Sequence, residues 1–169
     1  DDAVRLLLTE DPAEAQKIAG RLDSCNRERQ RLEKAIFDEI IARIHSMGDA
    51  KEKGALVLAS PEWHPGVIGI VASRVVDRFY RPTILISLKD GIGKGSGRSI
   101  AEFNLYEGLK LCAPLLLSYG GHRYAAGISV KESDIETLSE VLGDIVKEGL
   151  VIQELIQETH IDAQCALNR

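Results

Sequence analysis

Cysteine is scarce in this 169-residue sequence: Cys25, Cys112 and Cys165 lie far apart, with no Cys-x-x-Cys spacing. An odd, scattered set builds neither a disulfide framework nor a zinc site. It suits a reducing compartment, so the expected location is cytoplasmic. Aromatic residues are also few, with one Trp, four Tyr and three Phe, which argues against base stacking as the main mode of any nucleic-acid contact. No apolar run approaches the ~20 residues that cross a bilayer, and no signal segment opens the chain, so no membrane partner is expected. Between residues 55 and 130 there are only five scattered acids, Glu62, Asp77, Asp90, Glu102 and Glu107. Metal-ion hydrolysis of a phosphodiester needs several carboxylates or histidines converging on the ions, so no metal ligand is assigned here. His160-x-Asp162 is too sparse to change that. A P-loop, a nucleophile elbow and an evident Cys–His pair are missing as well. The chain opens Asp1-Asp2 with no Met and is expected to be a piece of a longer protein that carries further chemistry.

Of what is present, 44% is apolar and 28% charged, enough for one compact domain plus an appendage. The net charge of −5 is unevenly spread. Residues 1–54 hold 12 acids and 10 bases, residues 55–130 hold 5 and 8, and residues 131–169 hold 9 and 3. The basic middle also holds 10 of the 15 glycines. Glycine lets backbone N–H groups approach an anion closely, although three net charges over this length also fit ordinary scatter.

Residues 1–8 read as the tail of a helix. Asp11-Pro12-Ala13-Glu14 is a helix start, with Asp11 as N-cap, Pro12 at the first position and Glu14 placed to close a capping box. Ala15, Ile18, Leu22, Cys25, Leu32, Ile36, Ile40 and Ile44 then form one apolar face. The spacing predicts a helix of roughly 34 residues and about 50 Å. Arg27, Arg29, Arg31 and Lys34 are read as a solvated face balanced by Glu28 and Glu33. After a polar linker at 49–54, buried strands are expected at 55–60 and 83–89 around a helix at 67–80. A hairpin strand follows at 92–100, a helix at 105–117, a loop at Gly120-Gly121-His122, a strand at 124–130 and an acidic amphipathic helix at 133–148. The expected fold is α/β, a mixed sheet with helices on both faces, preceded by a long connector helix. Its parts are 1–48 (the end of an upstream domain and the connector), 55–150 (the compact domain) and 151–169 (a tail, with an edge strand at 151–156, leading to another module).

Three segments carry candidate chemistry. Trp63-His64-Pro65-Gly66 precedes a helix whose first N–H groups suit an anion, and Trp63 equally suits a plug at the core edge. In Gly93-Lys94-Gly95-Ser96-Gly97-Arg98-Ser99, strand alternation puts Lys94, Ser96 and Arg98 on one face. That is a phosphate cradle, with Arg bidentate and Ser a hydroxyl donor, or else a flexible glycine hairpin. In Gly120-Gly121-His122-Arg123-Tyr124-Ala125-Ala126-Gly127, paired glycines and small residues invite close backbone approach. His122 suits a phosphate contact or proton transfer, and a structural turn histidine fits too.

Together and in this order, WHPGVIGIVASR (63–74), GKGSGRS (93–99) and GGHRYAAG (120–127) resemble the DHH-associated domain of the RecJ family of single-stranded-DNA-specific exonucleases. NRERQRLE (26–33), within the long helix, is similar to the connector that joins that family's catalytic DHH domain to this one. The resemblance spans Pro12 to Val146. It implies that the whole enzyme hydrolyses single-stranded DNA from the 5′ end with Mn²⁺ or Mg²⁺, in recombination and repair. By family position the metal ligands sit in the upstream DHH domain, a partner in the same chain, and no metal is bound by this stretch alone. It further implies that Ser96 and Arg98 bind phosphate near the scissile end. Gly120, Gly121 and His122 line the cleft, with His122 the catalytic contact to the reacting phosphate, and His64 and Arg74 are further substrate contacts. The tail at 158–169 leads toward an OB module.

Two other readings stay open. One is a DHH-superfamily phosphoesterase of short oligonucleotides or cyclic dinucleotides. The other is a non-catalytic module that dimerises along Ile18, Leu22, Ile36 and Ile40.

Overall fold

The computed structural model describes residues 1–48, 52–150 and 163. The expected edge strand at 151–156 and the exit toward a further module fall outside them. Helix α1 spans Asp2–Leu8 and α2 spans Pro12–Ser46. Then follow β1 (Leu56–Ser60), α3 (Ile68–Phe79), β2 (Thr83–Lys89), β3 (Ile92–Arg98) and α4 (Leu105–Leu111). A 3-10 turn, Ala113–Leu115, leads into β4 (Leu116–His122) and β5 (Ala125–Lys131). A second, Glu132–Asp134, leads into α5 (Ile135–Gly149).

The sheet order is β1-β2-β3-β5-β4, with β1 and β2 parallel and the other pairs antiparallel. The expected mixed α/β architecture is what the structure shows. β1 and β2 are continuous apolar runs because both of their faces are covered. On one face Ile84, Ile86, Ile128 and Val130 pack under α4 and α5 through Leu105, Leu109, Leu138 and Leu142. On the other, Leu56, Leu58 and Leu85 pack under α3, and α2 lies over α3 through Ile36, Phe37, Ile40 and Ile44.

β3 makes this arrangement possible. Side chains alternate along a strand, so its glycines face α4 and α5 while Lys94, Ser96 and Arg98 face the other way. A Cβ at Gly95 would lie 2.6 Å from Ile128 Cγ1, and one at Gly97 would lie 2.8 Å from Leu105 Cδ2. The neighbours' side chains reach the bare backbone of β3, and no side chain of β3 is needed to fill that core.

Helix α2 is 35 residues long, close to the expected length. Asp11 caps it, accepting from the Ala13 N–H at 2.9 Å. The expected capping box does not form: Glu14 accepts instead from Thr9 Oγ1 at 2.7 Å and pairs with Arg5. Those bonds, Thr9 first, hold its carboxyl below its ordinary pKa. Thr9 lies in the turn between the first two helices and Arg5 in the last turn of α1, so Glu14 fastens α1 rather than its own helix start. The apolar face of α2 is also less continuous than its spacing implied. Ile18 and the last third are buried, whereas Cys25 and Leu32 are exposed. The basic cluster is balanced as expected, through Arg27–Asp23, Arg29–Glu33, Arg31–Glu28 and Lys34–Asp38 pairs.

Two further expectations are corrected. The helix read at 105–117 ends at Leu111, because Pro114 lacks an N–H and sits in a 3-10 turn. The loop read at Gly120-Gly121-His122 is the end of strand β4, paired through Gly120↔Gly127, Gly121↔Ala126 and His122↔Ala125. The last residue of the expected polar linker packs tightly against α5. Gly54 is buried, and a Cβ there would lie 2.0 Å from the Gly143 carbonyl oxygen in α5.

Candidate functional site

Among the described residues, α3, with α2 above it, covers its face of the sheet only as far as β3. The rest of that face carries three rows of paired residues: Lys94–Ser129–Ser118, Ser96–Gly127–Gly120 and Arg98–Ala125–His122. Two bases, three serines and a histidine rise among residues too small to fill the space, and none of the nine is acidic. Lys94, Ser118, Gly120, Gly127 and Ser129 line an open depression on this platform.

Arg98 and Ser96 are half-buried at the margin of α3. Arg98 Nη1 donates to Ser96 Oγ at 3.1 Å and to the Gly97 carbonyl at 2.8 Å, which fixes the guanidinium over the strand. The first turn of α3 lies directly against it. A Cβ on Gly69 would fall 2.9 Å from Ser96 Oγ and 3.0 Å from Arg98 Nη2. Helix α3 starts at Val67 with no side-chain cap and has no acid in its first turn. The Val67 and Ile68 N–H groups donate to the His64 carbonyl and that of Ile70 to the Val67 carbonyl, which among the described residues leaves the Gly69 N–H open at the positive end of the helix. A guanidinium, a hydroxyl and the Gly69 N–H at a helix start, gathered around one spot, form an anion site.

His122 stands at the end of the third row, where Arg123 and Tyr124 form the tip of the β4–β5 hairpin. His122 Nδ1 accepts from the Tyr124 N–H at 3.3 Å. The proton of the neutral ring is thereby assigned to Nε2, which becomes a donor toward the platform edge. The tip is pinned: Arg123 donates to the Ala101 carbonyl at 2.6 Å, and its own carbonyl accepts from the Leu105 N–H at 3.0 Å. Gly121 has φ +147°, and a Cβ there would lie 2.3 Å from the Ala125 carbonyl oxygen. This position therefore requires glycine.

The structure thus brings Ser96, Arg98, Gly120 and His122 onto one face. Neighbouring strands are ~4.8 Å apart, which sets the β4 residues roughly 10 Å from β3. Gly121 lies beneath as the hinge of the register. Two other candidates are engaged elsewhere. Arg74 pairs with Glu33 at 3.0 Å and stacks over Phe37 at 4.0 Å, joining α3 to α2. His64 Nδ1 accepts from the Gly66 N–H at 3.0 Å, stabilising its own turn. Trp63 is a core plug, 1% exposed, donating to Glu39 at 3.0 Å. Lys94 shares the cradle face expected for Ser96 and Arg98. Gly69 is a contributor the sequence does not reveal, because it lies 27 positions from Ser96. No group of three His, Cys, Asp or Glu side chains able to hold a metal ion occurs among the described residues, so a catalytic metal does not fit them.

The DHHA1 domain family matches residues 52–148. The chain is 41% identical over 169 residues to the single-stranded-DNA-specific exonuclease RecJ of Bacillus subtilis, covering 99% of this chain and 21% of that protein. It is 44% identical over 133 residues to the Thermus thermophilus protein of the same name, covering 79% and 19%. Among solved structures, Thermus thermophilus RecJ in complex with Mn²⁺ superposes with a TM-score of 0.78 at 39% identity, over 87% of this chain and 21% of that one. Exonuclease RecJ bound to manganese gives 0.76 at 36% identity, over 90% and 39%. The chain spans about a fifth of the length of the first two curated relatives.

Proposed function

The chain belongs to the DHHA1 domain family, and from that premise we propose that it is the strand-gripping part of a RecJ-like, metal-dependent 5′-to-3′ single-stranded-DNA exonuclease. One observation carries the proposal. An acid-free sheet face places Ser96, Arg98 and an uncapped helix start around one anion site, with His122 on the same face.

In this reading Arg98 and Ser96 hold a backbone phosphate, the guanidinium by charge and the hydroxyl by donation. Gly120 and Gly127 keep the floor low enough for the sugar–phosphate chain to lie on the sheet. His122 Nε2 donates to the reacting phosphate and orients it. Severing the bond belongs to divalent ions, Mn²⁺ or Mg²⁺, which supply the activated water and charge neutralisation in the intact enzyme. Their ligands lie in an upstream DHH domain, outside these residues. Binding is dominated by phosphate contacts with little base reading. The proposed setting is the cytoplasm, in DNA recombination and repair. Arg74 and His64 lie outside the row that makes the grip.

Fluorescence anisotropy with a 5′-phosphorylated oligothymidylate tests this. Arg98→Ala is expected to weaken binding about tenfold and reduce the salt slope by about one, with the fold intact. The chain alone, supplied with Mn²⁺, is expected to leave the oligonucleotide uncut. Robust degradation, or unchanged binding by the variant, refutes the proposal.

A further inference from the structure

A second concavity adjoins the platform. It lies between the middle of α2, the β1–α3 loop and the β2–β3 hairpin, with a volume of about 700 Å³, inside the range of about 300–1,000 Å³ typical of small-ligand sites. Pro61, Pro65, Leu32 and Ile92 supply apolar walls, and His64 stands at its rim. Leu32 and Ile92 are each 38% exposed, so both offer apolar surface to the groove. Its charged lining is balanced, Lys89 and Lys94 against Glu62 and Asp90. This groove therefore suits an uncharged, flat, partly polar group, whereas the platform beside it suits an anion.

Two side chains connect the two sites. Lys94 lines both depressions, and its ammonium has no ion pair or hydrogen bond among the described residues. Ser87, paired in register with Lys94, forms part of the groove. It is only 8% exposed, yet its hydroxyl meets no hydrogen-bond partner among the described residues. No side-chain polar atom among the described residues is both fully buried and unpaired, so this hydroxyl opens onto the groove and is available to a polar atom of whatever fills it. Lys94 lies two residues along β3 from Ser96, a step of roughly 7 Å. That is about the separation of successive phosphates in an extended single strand.

Resting on the phosphate grip above, we infer that this groove takes one nucleobase of the bound strand. Its nucleotide's phosphate sits on Lys94, one step from the phosphate held at Ser96, over which Arg98 Nη1 is folded. The base lies between the proline–histidine loop and Ile92, with a ring nitrogen or carbonyl turned to Ser87. The site anchors a base without reading it, because a single hydroxyl serves as donor or acceptor to any of them.

The test is an abasic scan of a 5′-phosphorylated oligothymidylate, one sugar at a time, on the wild-type chain by anisotropy. Removal of the base at one position is expected to weaken binding about tenfold, and removal elsewhere to change it little. Ile92→Ala, whose side chain is surface-exposed, is expected to erase that positional effect, while Lys94→Ala weakens every member of the series. A flat abasic scan with Arg98→Ala still impaired overturns the base site and leaves the phosphate grip standing. Loss of the Arg98 effect overturns both. A dimer by gel filtration that Ile92→Ala dissolves assigns the groove to a second copy and also overturns the inference.

Discussion

Replacing Gly69 by Ala separates the grip from the fold. Gly69 carries no functional group, and its backbone is the second residue of α3. The added methyl would sit 2.9 Å from Ser96 Oγ and 3.0 Å from Arg98 Nη2. Both are ends of side chains and yield by a few tenths of an ångström without moving the backbone. Arg98 is aimed by bonds of 3.1 Å to Ser96 and 2.8 Å to the Gly97 carbonyl, and the methyl disturbs the first of these. A charged hydrogen bond is worth about 1.5–3 kcal/mol, so mis-aiming the guanidinium costs binding about tenfold or more. Stability moves the other way, because Ala in a helix is favoured over Gly by up to about 1 kcal/mol. The expected result is a chain at least as resistant to urea as the parent, but a poorer ligand for the phosphorylated oligonucleotide in anisotropy. Combined with Arg98→Ala, the substitution should add nothing further. Wild-type affinity for Gly69→Ala, or full additivity with Arg98→Ala, refutes the assignment of that spot as the anion site.

Gly121→Ala places a Cβ 2.3 Å from a backbone oxygen at φ +147° and is expected to cost about 2–4 kcal/mol in urea unfolding. Ile40, fully buried between α2 and α3, should cost about 2–5 kcal/mol as Ala, whereas Leu32→Ala in the exposed stretch of the same helix should cost well under 1 kcal/mol; equal costs would show that the helix is seated along its whole length. Burial pushes the Cys112 thiol up to about 11. Below pH 9 the thiol is protonated in both folded and unfolded chains, so its contribution is complete. As pH climbs from 9 to 11 only the unfolded thiol ionises, and about 2–3 kcal/mol of stability is lost. Cys112→Ala should flatten that part of the pH–stability curve, and an unchanged slope would refute it.

Strand β2 was legible end to end because a run buried on both faces needs no tertiary information beyond its own hydrophobicity. The alternation in β3 was legible too, since a period of two depends on backbone geometry alone. Gly120-Gly121-His122 misled because paired glycines signal a turn, whereas here they serve a sheet. Gly121 permits the left-handed pairing with Ala126, and Gly120 keeps the floor low. Glu14 misled because a local motif competed with Arg5 and Thr9, whose position depends on how α1 folds back. The junction of Gly69 with Ser96 and Arg98, and that of Ser87 with Lys94, are products of sheet register and helix placement. Neither leaves a local trace.

The seating of α2 has a mechanical consequence. From Ile36 to Pro12 the helix runs about 36 Å, and among the described residues its deep anchorage to the sheet domain is at the carboxyl end. A rod held that way is a lever. A tilt of some 5° at the seat carries the free end about 3 Å, roughly the length of a hydrogen bond. The stacking of Arg74 on Phe37 and its pairing with Glu33 thereby act as the fulcrum.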